Sequence, residues 1–316
     1  MSRFLLSFAL LWSSLALAQA YPVKPVRIIV PFPPGGTTDV VARLVVARAG
    51  EKLGQPIVVD NVAGASGQIG TTAGIRAAND GHVLTLGNNQ THAANAALFP
   101  NAGVDLAKDV TPLSRLVRSR HAIVVPAASP YRTLRELIEG GRAKPLNYAS
   151  SSPGSSSQLV SEILRLQNGM QLTHVPYKGA APAVLAVIAG QVEFMTASLG
   201  SVAQHLAGGK LRALAISGER RDPAQPGVPT LGELGMDALS ADVWIALFAP
   251  AGAPAVVGRR WSEALGEVMR MEDTREKLGA AGFEPWFLPA AEAAQFHRDE
   301  VPRWVKMVKD AGLRVD

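Results

Sequence analysis

The sequence predicts an α/β protein made of two doubly wound domains with a ligand cleft between them. Short apolar runs rich in Val, Ile and Leu alternate with stretches of helical periodicity along most of the chain. The alternation comes in two batches, followed by a largely helical tail. At 316 residues, 47% hydrophobic and 18% charged, the chain has the length for two domains and the apolar content for packed cores.

The first batch opens with the strand-like run Val26-Arg27-Ile28-Ile29-Val30. Thr38 to Leu53 reads as a helix, because Val40, Val41, Leu44 and Val45 recur at helical spacing and Gly54 stops it. A strand at Pro56 to Val59, a helix at Gln68 to Ala78 and a strand at Val83 to Leu86 complete a βαβαβ pattern. That pattern implies a parallel sheet with helices on both faces. The second batch holds strands at Ile123 to Val125, Leu146 to Ala149, up to His174-Val175-Pro176, Val192 to Met195 and Leu211 to Ile216. Between them lie helices at Leu134 to Gly140, Ser156 to Gln167, Pro182 to Ala189 and Val202 to Leu206. After Pro223, Pro226 and Pro229 comes the strand Val243 to Phe248, then helices at Ala255 to Met271, Thr274 to Ala281 and Ala291 to Ala311. Crossovers are expected near 118–122 and 240–243. Domain 1 is then 21–120 plus 242–316, and domain 2 is 121–241.

Residues 1–20 read as a cleaved signal peptide. Arg3 is followed by an uncharged stretch from Phe4 to Ala18, and Ala18-Gln19-Ala20 puts small residues where a signal peptidase cuts. The apolar run is shorter than the ~20 residues a membrane-spanning helix needs. A periplasmic location after a cut behind Ala20 is the expectation. The chain has no cysteine, which excludes thiol catalysis, disulfides and cysteine metal sites. Net charge is +5, and no basic run exceeds a pair such as Arg220-Arg221. Nucleic-acid binding is therefore not expected, while a weak positive field favours anionic ligands.

In open α/β sheets, ligands sit beyond the carboxyl ends of the strands. Four loops at such places share a neutral, donor-rich chemistry. Pro31-Phe32-Pro33-Pro34-Gly35-Gly36-Thr37-Thr38-Asp39 joins a stiff loop to a helix start, and its glycines let backbone approach a ligand. Asn88-Asn89-Gln90-Thr91-His92 offers neutral donors, with His92 reading equally as a surface residue or a contact. Ser150-Ser151-Ser152-Pro153-Gly154-Ser155-Ser156-Ser157 sets six hydroxyls before a helix. Val175-Pro176-Tyr177-Lys178-Gly179-Ala180 adds a hydroxyl, a cation and a glycine. Such loops suit a carboxylate held mostly by dipoles. Recognised enzyme signatures are missing. There is no G-x-S-x-G elbow, no P-loop, and no H-x-x-x-H pair for zinc. Gly64, Gly67 and Gly70 form G-x-x-G-x-x-G after the second strand, which is not the dinucleotide pattern.

Several blocks in order resemble the Bug family, the substrate-binding receptors of tripartite tricarboxylate transporters. They include Lys24-Pro25-Val26-Arg27-Ile28-Ile29-Val30-Pro31-Phe32-Pro33-Pro34-Gly35-Gly36-Thr37-Thr38-Asp39, Leu146-Asn147-Tyr148-Ala149-Ser150-Ser151, His174-Val175-Pro176-Tyr177-Lys178-Gly179, Lys210-Leu211-Arg212-Ala213-Leu214-Ala215 and Phe248-Ala249-Pro250-Ala251-Gly252. The resemblance implies a type II periplasmic-binding-protein fold and a small carboxylate ligand held between the domains. It selects Phe32, Gly35, Gly36, Thr37, Thr91, Ser151, Ser155, Ser156, Tyr177 and Gly179 as ligand-binding residues. With the enzyme and metal motifs missing, no cofactor, no metal and no catalytic residue are expected. The resemblance also implies a membrane permease as partner, and a monomer is expected. Two alternatives stay open: a binding component that feeds a signalling sensor, and an exported α/β enzyme acting on a carboxylate. The chain departs from the family where an Asp-Asn pair is common, since Thr196-Ala197-Ser198 stands there. That favours a plain carboxylic acid over an amino acid. Gln158 stands where the family commonly has His.

Overall fold

In the computed structural model, residues 21–236, 239 and 241–314 are described. The expected signal-peptide cut behind Ala20 lies outside them. In the run Val26–Val30 (β1) every residue except Arg27 is buried, as a strand covered on both faces requires. β1 pairs in parallel with Ile57–Asn61 (β2) and Val83–Asn88 (β3). Three further strands extend this sheet: Val110–Ser119 (β4), Val243–Pro250 (β10) and Glu284–Pro289 (β11), in the order β11-β4-β10-β3-β1-β2. A second sheet holds His121–Pro126 (β5), Leu146–Ser150 (β6), Leu172–Pro176 (β7), Phe194–Ser198 (β8) and Leu211–Ile216 (β9), in the order β7-β6-β8-β5-β9.

Both sheets are mixed, where the sequence pattern implied parallel ones. β10 runs antiparallel to β3 and β4, and β5 runs antiparallel to β8 and β9. These are the strands on which the chain changes sheet. It passes from β4 to β5 through Arg120 alone and returns between Ile216 and Val243. Two strands escaped the sequence reading for physical reasons. β4 carries Arg115 and Arg118, which break its apolar pattern, yet Arg115 is buried with its guanidinium 3.4 Å over the Trp286 ring. β11 begins Glu284-Pro285 and ends at Pro289, and it lies at a sheet edge, where proline costs no ladder bond.

The predicted helix from Thr38 to Leu53 is broken. Thr37–Val41 (α1) passes into a π-helical turn over Ala42–Val46, and Ala49–Leu53 (α2) follows. The remaining helices sit close to expectation: Gln68–Ile75 (α3), Leu134–Ala143 (α5), Ser156–Asn168 (α6), Ala180–Ile188 (α7), Leu199–Ala207 (α8), Ala255–Arg270 (α9), Glu272–Ala280 (α10) and Ala290–Asp310 (α11). A short α4, Asn95–Leu98, was not anticipated. Among the described residues, no helix is long and apolar enough to cross a membrane.

The glycine triplet after β2 has a packing explanation. A Cβ at Gly70, in α3, would lie 2.5 Å from the Val62 carbonyl oxygen and 2.9 Å from the Pro31 Cα. Both are backbone atoms, which cannot rotate away, so α3 lies against the loop after β1 only because position 70 has no side chain. Gly70→Ala is expected to destabilise the protein by about 1–3 kcal/mol through overpacking. A lowered urea midpoint would show it, and an unchanged midpoint would refute this account.

Candidate functional site

One cavity lies where the two sheets face each other. The loops after β1, β3, β6 and β7 reach it, as does Ser198 at the end of β8. His121 and Val243, the first residues of β5 and β10, also line it, because antiparallel strands begin where their parallel neighbours end. The space open to solvent-sized atoms is about 50 Å³. One water needs ~10–15 Å³ on the same measure, so the cavity has room for a small molecule. The halves touch around its rim. Thr37 Oγ1 lies 2.8 Å from Ser198 Oγ, and Gln90 Nε2 donates to Ser152 Oγ at 2.8 Å. Ser66 Oγ donates to the Pro153 carbonyl at 2.9 Å. On the outer side, Arg120 lies 2.5 Å from Asp222 and 2.8 Å from Glu284, so one buried guanidinium ties segments of both halves at the crossover.

Of the residues singled out from sequence, Phe32, Gly36 and Thr37 line the cavity from the first loop. Ser151, Ser155 and Ser156 line it from the serine loop, and Gly179 from the loop after β7. Gly35, Thr91 and Tyr177 stand outside its wall. Gly35 is exposed in a left-handed conformation (φ +79°) and gives its N–H to Asp39 Oδ2 at 2.9 Å. Thr91 is fully buried; its hydroxyl accepts the Asn88 N–H at 3.0 Å and lies 3.0 Å from His92 Nδ1. The Tyr177 ring packs against the core of the second sheet, and its N–H donates to the Ser150 carbonyl.

Much of the loop chemistry holds the loops themselves. Asp39 is buried and accepts bonds from Gly35 N–H, Arg43 and Asn61. Burial opposes its ionisation, but these donors outweigh burial and hold the carboxyl below its ordinary pKa. The result is a pinned first loop, leading into α1, whose start has no side-chain cap. In the serine loop, Ser155 caps α6 by accepting the Gln158 N–H and donates to the Ser152 carbonyl. Ser150 Oγ contacts His174 Nε2, while Gln158 links Gly154 N–H to His174 Nδ1. Gln158 is thus a loop brace. Gly179 N–H is taken by the Ser151 carbonyl at 2.7 Å.

Asn89, Gln90 and His121 are among the cavity residues that sequence reasoning passed over. Asn89 and Gln90 belong to a loop that was singled out, but through Thr91 alone. His121 sits on the strand after the crossover, and its one signal is a polar residue opening an apolar run. His121 Nε2 lies 3.1 Å from Ser156 Oγ, the spacing of a base and a nucleophile. The pair lacks what would make it reactive. Burial lowers the His121 pKa to about 4, with nearby Asp242 opposing, which leaves a weak base. Nδ1 has no partner, and Asp242 accepts the Ser217 hydroxyl instead of orienting the ring. His92 is fully buried and stacks on Phe248 at 3.9 Å, which settles its two open readings against a surface position. Among the described residues, no charged side chain lines the cavity and no cluster of His, Asp and Glu could hold a metal ion.

The family model described as "Tripartite tricarboxylate transporter family receptor" matches residues 41–313. The chain is 33% identical over 301 residues to Protein BugT of Bordetella pertussis, covering 94% of this chain and 92% of that protein. Among solved structures, it is similar to MatC from Rhodopseudomonas palustris with bound malate: TM-score 0.83, 33% identity, 91% of this chain and 100% of that one. A second R. palustris protein, solved with adipate, superposes with TM-score 0.89 at 30% identity, covering 93% of this chain and 100% of that one. The family match across most of the length, together with two facing α/β sheets around a shared cavity, shows that this chain belongs to the Bug family of tripartite tricarboxylate transporter receptors.

Proposed function

We propose that this receptor is exported to the periplasm, closes two lobes on a small carboxylate and presents it unaltered to a membrane permease. The lobes are residues 21–120 with 242–316, and 121–241. One observation carries the reading: a cavity between the sheets whose wall, among the described residues, holds hydroxyls, amides and helix starts and no charged side chain. Neutral donors around the cavity favour an anion without a counter-charge, since hydrogen bonds to a charged group contribute about 1.5–3 kcal/mol each. A handful reaches the ~8 kcal/mol of micromolar binding. Phe32, Gly36, Thr37, Ser151, Ser155, Ser156 and Gly179 form the carboxylate end of the site. Relatives solved with malate and adipate support a carboxylate ligand. Capture without chemistry follows from the weak, unoriented imidazole beside Ser156. The apolar leader supports export. Single-residue passage between lobes at Arg120 supports closure about a narrow hinge, with the closed form favoured by what it binds.

A thermal-shift panel of small mono- and dicarboxylates tests this. At least one acid is expected to raise the melting temperature, because ligand at ~100 times its dissociation constant stabilises by ~2.7 kcal/mol. The same acid is expected back intact after incubation. No shift with any carboxylate, or recovery of an altered product, would sink the proposal.

A further inference from the structure

We infer that the Asn89 carboxamide and the unpartnered ring nitrogen of His121 read a hydroxyl on the captured acid, so that the cleft selects a hydroxycarboxylate. This rests on the carboxylate-receptor reading above. Among the described residues, the buried side-chain atoms without a hydrogen-bond partner fall into two groups. Those of His92 and Asn95 lie away from the cavity wall, as do His82 Nδ1 and Arg120 Nε, which sit 3.3 Å from Asp80 and 2.8 Å from Glu284 carboxylate oxygens. Those of Asn89 and His121 belong to residues that line it. Each of the two is 1% exposed.

The neighbouring amides make the contrast. Asn88 Oδ1 accepts the N–H groups of Gln90 and Thr91. Gln90 is engaged at both atoms by Ser152 and also donates to the Pro153 carbonyl. Asn89 alone has neither its oxygen nor its nitrogen bonded. Burying both halves of an amide unbonded is costly, and native structures keep such groups where something else completes them.

The chemistry of that completion is restrictive. Asn89 presents a donor and an acceptor side by side. The neutral imidazole, held to Ser156 through Nε2, adds one more nitrogen that either donates or accepts according to its tautomer. A carboxylate at neutral pH only accepts, so it leaves Asn89 Oδ1 unmet. An ammonium donates, but it brings a positive charge into a cavity whose wall holds no carboxylate. A hydroxyl both donates and accepts without charge. The first sheet supplies Asn89 and the second supplies His121, so the hydroxyl is read only when both lobes contribute.

Calorimetric titration with matched acids tests this: malate against succinate, and 2-hydroxyglutarate against glutarate, with aspartate and glutamate as the ammonium counterparts. In the pair that binds, the hydroxy acid is expected to bind at least ~10-fold more tightly than the deoxy acid. Asn89→Leu is expected to bring the two within ~2-fold by weakening the hydroxy acid. Equal binding of both members by the wild type overturns the hydroxyl reading and leaves the carboxylate receptor standing. So does preference for the amino acid, or equal weakening of both members by Asn89→Leu. Binding of no acid at all removes the receptor reading itself. The wild-type comparison needs no variant, so misfolding of Asn89→Leu leaves the test intact.

Discussion

Gly36→Leu is expected to abolish the thermal shift produced by a carboxylate ligand while the unliganded protein melts like the wild type. The backbone at Gly36 is ordinary (φ −80°, ψ 170°), so a side chain there brings no strain of its own. A Cβ would meet only the Pro33 carbonyl oxygen within 4 Å, at 3.5 Å, which is normal contact. Gly36 nonetheless lines the cavity, and the remaining space there is about 50 Å³. An isobutyl group there adds four carbons at the cavity wall in front of α1. The loss expected is therefore the whole ligand-linked stabilisation, ~2.7 kcal/mol at 100-fold excess over the dissociation constant. An unchanged shift in Gly36→Leu would remove the loop after β1 from the binding site. A melting temperature lowered without ligand would mean that the cavity wall is under packing tension that the backbone angles do not reveal.

The second large effect is a loss of stability on mild acidification. Burial is the chief cause that lowers the pKa values of His92, His121, His174 and His297 from the ordinary 6.5. In the unfolded chain these imidazoles titrate near 6.5. Below that pH the unfolded state binds more protons than the folded state, so stability falls as pH falls. For His121, lowered to about 4, the loss accumulates between pH ~6.5 and ~4. It reaches about 2 kcal/mol at pH 5. His92, fully buried and pushed well below 6.5, adds a loss of the same sign in that window. Two such groups remove a sizeable part of an ordinary stability of ~5–15 kcal/mol. Asp39, whose folded pKa is also lowered, contributes stability that is lost only at more acid pH. Urea midpoints are expected to be flat from pH 8 to 7, to fall between pH 6.5 and 5, and to fall less steeply in His121→Gln. Midpoints independent of pH down to 5 would contradict a neutral, buried His121.

Much of the architecture was legible because apolar periodicity is a local signal. β1, β9 and the helices from α5 onward lie within a few residues of their predicted positions, since each buries an apolar face set by its own sequence. β4 and β11 were illegible for the converse reason. Arg115 is apolar in effect only because Trp286 and Phe296, from distant parts of the chain, cover its guanidinium. Proline in β11 is harmless only because that strand falls at the edge of the sheet. The cavity loops were likewise visible as Gly-, Pro- and Ser-rich breaks after strands, and seven of the ten residues named in them meet at one cavity. Gly35, Thr91 and Tyr177 differ from the others only in which way the folded loop turns them.

By itself, the sequence determined an α/β chain with two sets of strands, an uncharged apolar stretch from Phe4 to Ala18, no thiol chemistry and mostly uncharged loops at strand ends. Spacing and residue type record these, because each is decided within a few neighbours along the chain. Tertiary structure decided strand direction, the joining of both halves through Arg120, and which polar atoms remain unbonded at the cavity. Asn88, Asn89 and Gln90 are near-identical amides in a row, yet only Asn89 keeps both polar atoms free. Hydrogen bonding is satisfied through space, and the partners of Gln90 lie about sixty residues away in the opposite sheet's loop.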